Sequence, residues 1–334
     1  MKELVVNAKN AGGRLDKIIF KYLDKASPGF VYKMLRKKNI TLNDKKAIGS
    51  EIVNEGDSVK FFLSDETIAK FKSGQSVKAA KKTAPAAKKG ISVSLKHLIV
   101  FEDDNIIAVN KPAGLLTQKA SAADISLNDF LLDHIPSDEL FTPGAANRLD
   151  RNTSGIVLAG KNLNAQRELS NAIAGRDITK TYLAVVKGKI AEAATKEAFL
   201  SKDADSNTVS ITDTEDTGSV RIITGYRPLA AGEGLTLIEV DLITGRPHQI
   251  RAHMSHLGHP VAGDPKYGDL ELNEYLKEKY ALRSQMLHAY KIRFAQMKGI
   301  LEYLNGKEVT ADIPIMFRKV LEGENIWLPG APEA

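Results

Sequence analysis

Residues 66–95 divide this chain into parts that must fold separately. They hold Lys70, Lys72, Lys78, Lys81, Lys82, Lys88 and Lys89 among Ala, Ser, Gly, Thr and Pro, with no periodic apolar face. A stretch of that composition buries too little apolar surface to offset the entropy lost on ordering, so it reads as a flexible tether. Residues 1–65 and 96–325 must then each build a core of their own, and 326–334 form a tail; a chain of 334 residues is long enough for this. Charge follows the same division. Residues 1–63 carry +6 and residues 64–95 carry +5, which leaves −5 on the remainder, for a total of +6. A basic front end on a mildly acidic body suits a polyanionic partner gripped from the N-terminal side.

Composition excludes several classes. There is no cysteine, hence no disulfide framework, thiolate zinc site or thiol nucleophile. No stretch approaches the roughly 18–20 apolar residues of a membrane span. The start, Met1-Lys2-Glu3-Leu4-Val5-Val6-Asn7, lacks the apolar block of a signal peptide. A soluble cytoplasmic protein that works without a membrane, and as a monomer, is expected. No Walker loop, dinucleotide-binding glycine fingerprint or Gly-x-Ser-x-Gly elbow is present.

In the first unit Leu15, Ile18, Ile19, Tyr22 and Leu23 recur at helical spacing, and a second helix is predicted over 30–38 with Val31, Met34 and Leu35 inward. Lys33, Arg36, Lys37 and Lys38 then project outward. Strands are predicted at 40–42 and 59–63, with Gly56-Asp57 as the turn before the second. This small α/β unit resembles an RNA-binding domain shared by a small-subunit ribosomal protein and several RNA-modifying enzymes. The resemblance makes Lys33, Arg36 and Lys37 candidate RNA contacts, where backbone and shape dominate recognition.

Beyond residue 98 the pattern is rich in strands. Residues 99–101 and 106–109, around Asp103-Asp104-Asn105, read as a hairpin, with further strands at 156–159, 182–186, 221–226 and 235–242. Helices are predicted at 165–173, 248–256 and 272–279. Few strict strand–helix–strand alternations occur, which implies an α+β domain on a mixed or antiparallel sheet.

Two motifs carry the chemistry. Asn147-Arg148-Leu149-Asp150-Arg151-Asn152-Thr153-Ser154-Gly155 places a carboxylate between two arginines and then feeds the apolar run Ile156-Val157-Leu158-Ala159. This holds one acid at the edge of a sheet beside groups able to keep it ionised. Far along the chain come Thr244-Gly245-Arg246-Pro247-His248-Gln249-Ile250-Arg251-Ala252-His253 and Gly263-Asp264-Pro265-Lys266-Tyr267-Gly268. Together they resemble the signatures of the RluA-type pseudouridine synthases, which isomerise uridine in folded RNA. The likeness covers roughly residues 98–317. The domain order is most similar to members that act on large-subunit ribosomal RNA.

The resemblance implies a long, bent central sheet with a catalytic cleft, in which Asp150 is the nucleophile and Arg251 its cationic neighbour. Tyr182, in Lys180-Thr181-Tyr182-Leu183-Ala184, matches the tyrosine that stacks on the target base and takes part in removing the proton from its carbon 5. Arg148 matches the arginine that enters the RNA stack where the target nucleotide leaves. Extrusion is needed because a carboxylate cannot reach the glycosidic bond of a stacked base. Arg246 supports its turn or contacts a phosphate. The reaction oxidises nothing and donates no group, so neither cofactor nor metal is required.

Two positions depart from the family pattern. Asn147 stands where a His is usual. A later His expected after Lys111-Pro112-Ala113-Gly114 is missing, with Gln118 near its place. The clustered His248, His253, His256 and His259 raise a second possibility, a metal-dependent hydrolase, but they lack the accompanying carboxylates or thiolates of common sites. A third possibility is a non-catalytic RNA-binding or ribosome-assembly protein on the same fold, which would require loss of Asp150, Tyr182 or Arg251; all three are present.

Overall fold

The computed structural model describes residues 1–7, 10–72, 94–138, 140–202 and 208–326. The N-terminal unit runs β1 (Lys2–Val5), α1 (Leu15–Tyr22), α2 (Pro28–Arg36), β2 (Ile40–Leu42), β3 (Lys45–Lys46), β4 (Ser58–Phe61) and α3 (Asp65–Phe71). Its four strands form an antiparallel sheet in the order β1-β4-β2-β3. Helix α2 starts where Ser27 accepts the Phe30 N–H and Pro28 occupies the first turn, where a missing N–H costs nothing. It buries Val31, Met34 and Leu35 and leaves Lys33, Arg36 and Lys37 exposed, as its spacing predicted.

Helix α3 corrects the reading of the tether. All of it but Asp65 falls within residues 66–95, yet it packs on the N-terminal core: Ile68 is buried, and the Phe71 ring lies 4.3 Å from that of Phe30. Ser64 caps it through the Thr67 N–H. Two apolar residues three apart are too few to show a period, so the helix was not legible in the sequence. At the other end of the segment Leu95 is buried in the core of the large domain. The rest of the expected tether, residues 73–93, lies outside the described residues. So does the expected tail from 327 on, whereas Ile326 is buried in the large domain.

The large domain contains β5 (Ile99–Glu102), β6 (Ile106–Lys111), α4 (Leu127–His134), β7 (Ser154–Gly160), α5 (Leu163–Gly175), β8 (Ile178–Lys187), β9 (Ala194–Lys202), β10 (Val209–Thr212), β11 (Val220–Ala231), β12 (Leu235–Leu242), α6 (Gln249–His256), α7 (Leu270–Tyr280), β13 (Leu287–Phe294), β14 (Glu308–Thr310) and α8 (Ile315–Gly323). The sheet order is β10-β9-β11-β12-β8-β13-β7-β6-β5, with β14 beside β13. Among the described strands every pairing is antiparallel except β7 with β13, so the sheet is mixed.

Its central strands are apolar on both faces because helices cover both, as the physics of a doubly covered sheet requires. On one side Val109, Val157, Ala184, Val186 and Ile238 meet Leu127 and Leu131 of α4 and Ile250 and Met254 of α6. On the other, Ala108, Ile156 and Leu158 meet Ala165 and Leu169 of α5, while Leu183, Val185 and Leu237 meet Leu276 of α7 and Val320 of α8. The parallel step positions the acidic loop. Gly155 has φ of 115°, and a Cβ there would stand 2.3 Å from the Ala289 carbonyl oxygen, so β7 can meet β13 only through glycine.

Candidate active site

The loop that carries Asp150 enters β7 under tight control. Asn147 is buried and works as an extra ladder rung: its Oδ1 accepts the Leu158 N–H at 2.8 Å and its Nδ2 donates to the Ile156 carbonyl at 3.3 Å. The Thr117 hydroxyl donates to the Leu149 carbonyl and accepts the Leu149 N–H. Past the acid, Thr153 N–H donates to the Asp150 carbonyl, and Gln285 Nε2 donates to the Thr153 hydroxyl. The departure at Asn147 is therefore an internal tie, not an altered surface contact. Gln118 is exposed.

Opposite the loop stands α6. Arg251 Nη1 donates to Asp150 Oδ2 at 2.8 Å, while Nε and Nη2 form a two-pronged bond to Asp264 at 2.6 and 2.8 Å. The Arg251 side chain is 6 % exposed, Asp264 is fully buried, and Asp150 keeps 29 % exposure toward solvent. Burial works against the guanidinium charge, but the bonds and charges of Asp264 and Asp150 outweigh it and hold the Arg251 pKa above its ordinary value. Asp264 also accepts the backbone N–H groups of Lys266 and Tyr267. The buried carboxylate thus aims the arginine, and the arginine holds the half-exposed one. Asp150 Oδ1 accepts no hydrogen bond among the described residues.

Lys111, at the end of β6, is fully buried, and its Nζ donates to the carbonyls of Pro112, Leu115 and Arg151 at 3.1, 2.8 and 3.1 Å. Three acceptors match the three N–H bonds of an ammonium. Burial brings its pKa down to about 7 against the opposing pull of the Asp150 charge.

Tyr182 points from β8 into the same side of the sheet and is 5 % exposed. Burial first, and the Asp150 charge second, push its phenol above the ordinary range, so the ring is neutral in the resting site. His248 caps α6 in the left-handed conformation, φ 56°, and therefore stands before the helix, not in it as the sequence suggested. Its Nε2 is 3.8 Å from Asp150 Oδ2, and its Nδ1 is 2.9 Å from the Tyr267 hydroxyl. The Tyr267 ring lies under the Arg251 guanidinium, 5.2 Å from its centre.

The structure brings Asp150, Arg251 and Tyr182 together. It corrects the local reading of the motif: neither flanking arginine touches Asp150. Arg151 faces Asp124 at 3.5 Å, and the exposed Arg148 guanidinium has no partner among the described residues. Neighbours in sequence point apart here, and the cation comes from 101 residues away. The Arg246 side chain is also exposed, while its backbone N–H donates to Gln249 Oε1 and so forms the turn before α6. Lys33 and Arg36 of α2, and Lys37 at its C-terminal cap, are exposed and belong to the N-terminal unit.

Sequence reasoning assigned no role to Asp264, Lys111 or Tyr267, and weighed His248 only within a histidine cluster as a metal ligand. All four sit inside the quoted motifs, but only tertiary contacts show what they hold: the 263–268 loop meets α6, and Lys111 ties its own turn to the Arg151 carbonyl of the acidic loop. The histidines disperse to separate partners: His253 to Thr224, His256 to Asp213 and His259 to the Lys187 carbonyl. Among the described residues no three His, Asp or Glu gather in a metal-binding group.

Comparison with known proteins identifies the family. Residues 105–256 match the family model described as RNA pseudouridylate synthase. A ribosomal large subunit pseudouridine synthase C of Rickettsia felis is 34 % identical over 307 residues, covering 91 % of this chain and 93 % of that protein. The like-named protein of Vibrio cholerae is 30 % identical and covers 85 % of each. Among solved structures, human RNA pseudouridylate synthase domain containing 4 superposes with a TM-score of 0.58 at 20 % identity, over 71 % of this chain and 96 % of that one, which speaks for the fold. Aligned along nearly its whole length with these relatives, the chain belongs to the RluA-type RNA pseudouridine synthases.

Proposed function

We propose that this protein converts uridine to pseudouridine in large-subunit ribosomal RNA, with Asp150 as the nucleophile. The observation that carries this is the one-sided grip on Asp150: Arg251 binds Oδ2, while Oδ1 is left open at a partly exposed position. The isomerisation breaks the bond from the anomeric carbon to the ring nitrogen, turns the uracil and joins the same carbon to carbon 5, whose proton leaves. Every atom but that exchanged proton stays in the product. A carboxylate bonded on one oxygen by a buried arginine can attack the base or the anomeric carbon, or stabilise a developing cation there. The neutral Tyr182 offers a ring face for the detached base.

On this reading Arg148 enters the gap left by an extruded nucleotide, which its exposure two residues before Asp150 supports. Arg246 and the α2 cations suit the phosphate backbone. The choice of ribosomal RNA follows the relatives' names, and the preformed Arg251–Asp150 pair argues against a purely binding role. The expected oligomeric state is a monomer, and the expected compartment is the cytoplasm. Pseudouridine maps of total RNA from cells with and without the protein test the substrate. At least one large-subunit uridine should lose its modification; changes confined to transfer RNA, or none, would refute the assignment.

A further inference from the structure

We propose that His248 is a positioning residue of the reaction: its Nε2–H joins Arg251 on Asp150 Oδ2 and so makes Oδ1 the attacking atom. This rests on the reading of Asp150 as nucleophile and deepens it.

The assignment of the hydrogen follows from counting donors. Val209 N–H donates to the Tyr267 oxygen at 2.9 Å. The phenol's own hydrogen then needs an acceptor, and among the described residues only His248 Nδ1, at 2.9 Å, offers one. A ring that accepts at Nδ1 carries its hydrogen at Nε2 when neutral. Burial, helped by the charges of Arg251 and Lys266 and opposed by Asp150 and Asp264, holds the His248 pKa below its ordinary value, which keeps the ring neutral. That N–H stands 3.8 Å from Asp150 Oδ2, the oxygen Arg251 already holds. The gap exceeds a hydrogen bond in the unliganded site, and catalytic contacts that are long in the free enzyme often tighten in the substrate complex.

The backbone supports the same conclusion. His248 adopts φ 56° at the head of α6, in the left-handed region that only a few per cent of non-glycine residues occupy, Asn, Asp and His more often than the rest. Such strain persists where the surroundings over-determine it, characteristically at working sites. The arrangement also links the acid to the outer β9–β10 hairpin, since Val209 opens β10 and Tyr267 follows Asp264 in the loop that aims Arg251.

Two substitutions separate a donor to Asp150 from a support for Tyr267. The Asn amide falls near the place of Nδ1 and suits the left-handed backbone, so His248→Asn keeps the Tyr267 contact and loses the donor. The longer Gln amide reaches the place of Nε2, so His248→Gln restores the donor and loses the Tyr267 contact. In single-turnover conversion at saturating RNA, His248→Asn should be slower by about 10- to 100-fold, the worth of one hydrogen bond to a charged group. RNA affinity should be unchanged and His248→Gln should recover most of the rate. An Asn variant at the parent rate, or a Gln variant slower than Asn, would overturn the proposal. Should either variant melt below the assay temperature, Tyr267→Phe decides, because it frees the imidazole to change tautomer: a slower rate supports the proposal and an unchanged rate overturns it. Asp150→Asn in the same assay keeps the two claims apart. If it remains active the nucleophile assignment fails; if it is inactive while His248→Asn is unimpaired, only the role of His248 fails.

Discussion

The exposed cations of α2 and the buried ions beneath Asp150 use charge in opposite ways. Lys33, Arg36 and Lys37 stand in water, where attraction to a polyanion is long in range, screened over about 10 Å at ordinary salt and indifferent to exact placement. Arg251 is sealed between Asp150 and Asp264, where each bond is directional and the loss of one partner leaves a charge that water cannot reach. The first arrangement suits attraction to a polyanion, the role proposed for it; the second fixes one oxygen of one carboxylate. A protein that must find a large substrate and then act on a single bond needs both, and this chain keeps them in separate domains.

Substitutions that divide affinity from chemistry can break that comparison. Asp264→Asn should have the largest effect, lowering stability by about 3–5 kcal/mol in denaturant unfolding and removing most turnover, because it strands a buried guanidinium. A loss under about 1 kcal/mol would mean that the buried pair is not what holds the centre. Arg148→Ala should leave folding intact and slow conversion of structured RNA more than that of an unpaired oligonucleotide, which avoids an unstacking cost of a few kcal/mol. Equal slowing on both would place Arg148 at the reacting base instead.

Lys111 offers a smaller, pH-dependent test. Its folded pKa of about 7 lies below the unfolded value of about 10.4. Between the two the unfolded chain binds a proton that the folded one has released, so this group makes stability rise with pH, by at most ~1.4 kcal/mol per unit. Below the folded pKa both states are protonated and its contribution levels off at its least favourable value. Lys111→Met should flatten the pH dependence of unfolding over that window; an unaltered slope would show that the ammonium keeps its charge there. The mildest change is Lys33, Arg36 and Lys37 to Gln together. Affinity should fall and the salt dependence become shallower by about 0.7–0.9 log units per lost phosphate contact, with the saturated rate unchanged. A lower saturated rate would merge the two functions that the structure keeps apart.

The sequence disclosed elements whose burial repeats within the element. β2 and β12 match their predicted limits, and α1, α2 and α5 fall within two or three residues. It concealed elements set by remote contacts. β9 is mostly polar because it lies near the sheet edge, and β1 buries only Leu4. β13 mixes His288, Lys291 and Arg293 into a central strand, where His288 takes Ser154 and the Ala311 carbonyl as partners. The site divides likewise. Asp150, Tyr182 and Arg251 were visible through their motifs, whereas Asp264 became meaningful only once a loop 13 residues beyond Arg251 folded back on it. Arg151 shows the converse, since a flanking cation is no partner when the chain turns it away.

The central claim is that the open oxygen of Asp150 does chemistry. It is tested most directly by single-turnover release of tritium from uridine labelled at carbon 5, with the parent and Asp150→Asn proteins compared beside RNA binding and melting curves. Asn preserves size and much of the hydrogen bonding but removes charge and nucleophilicity. The expected result is a variant that folds, binds RNA and releases essentially no tritium. A folded, RNA-bound Asp150→Asn protein that releases tritium near the parent rate would contradict it.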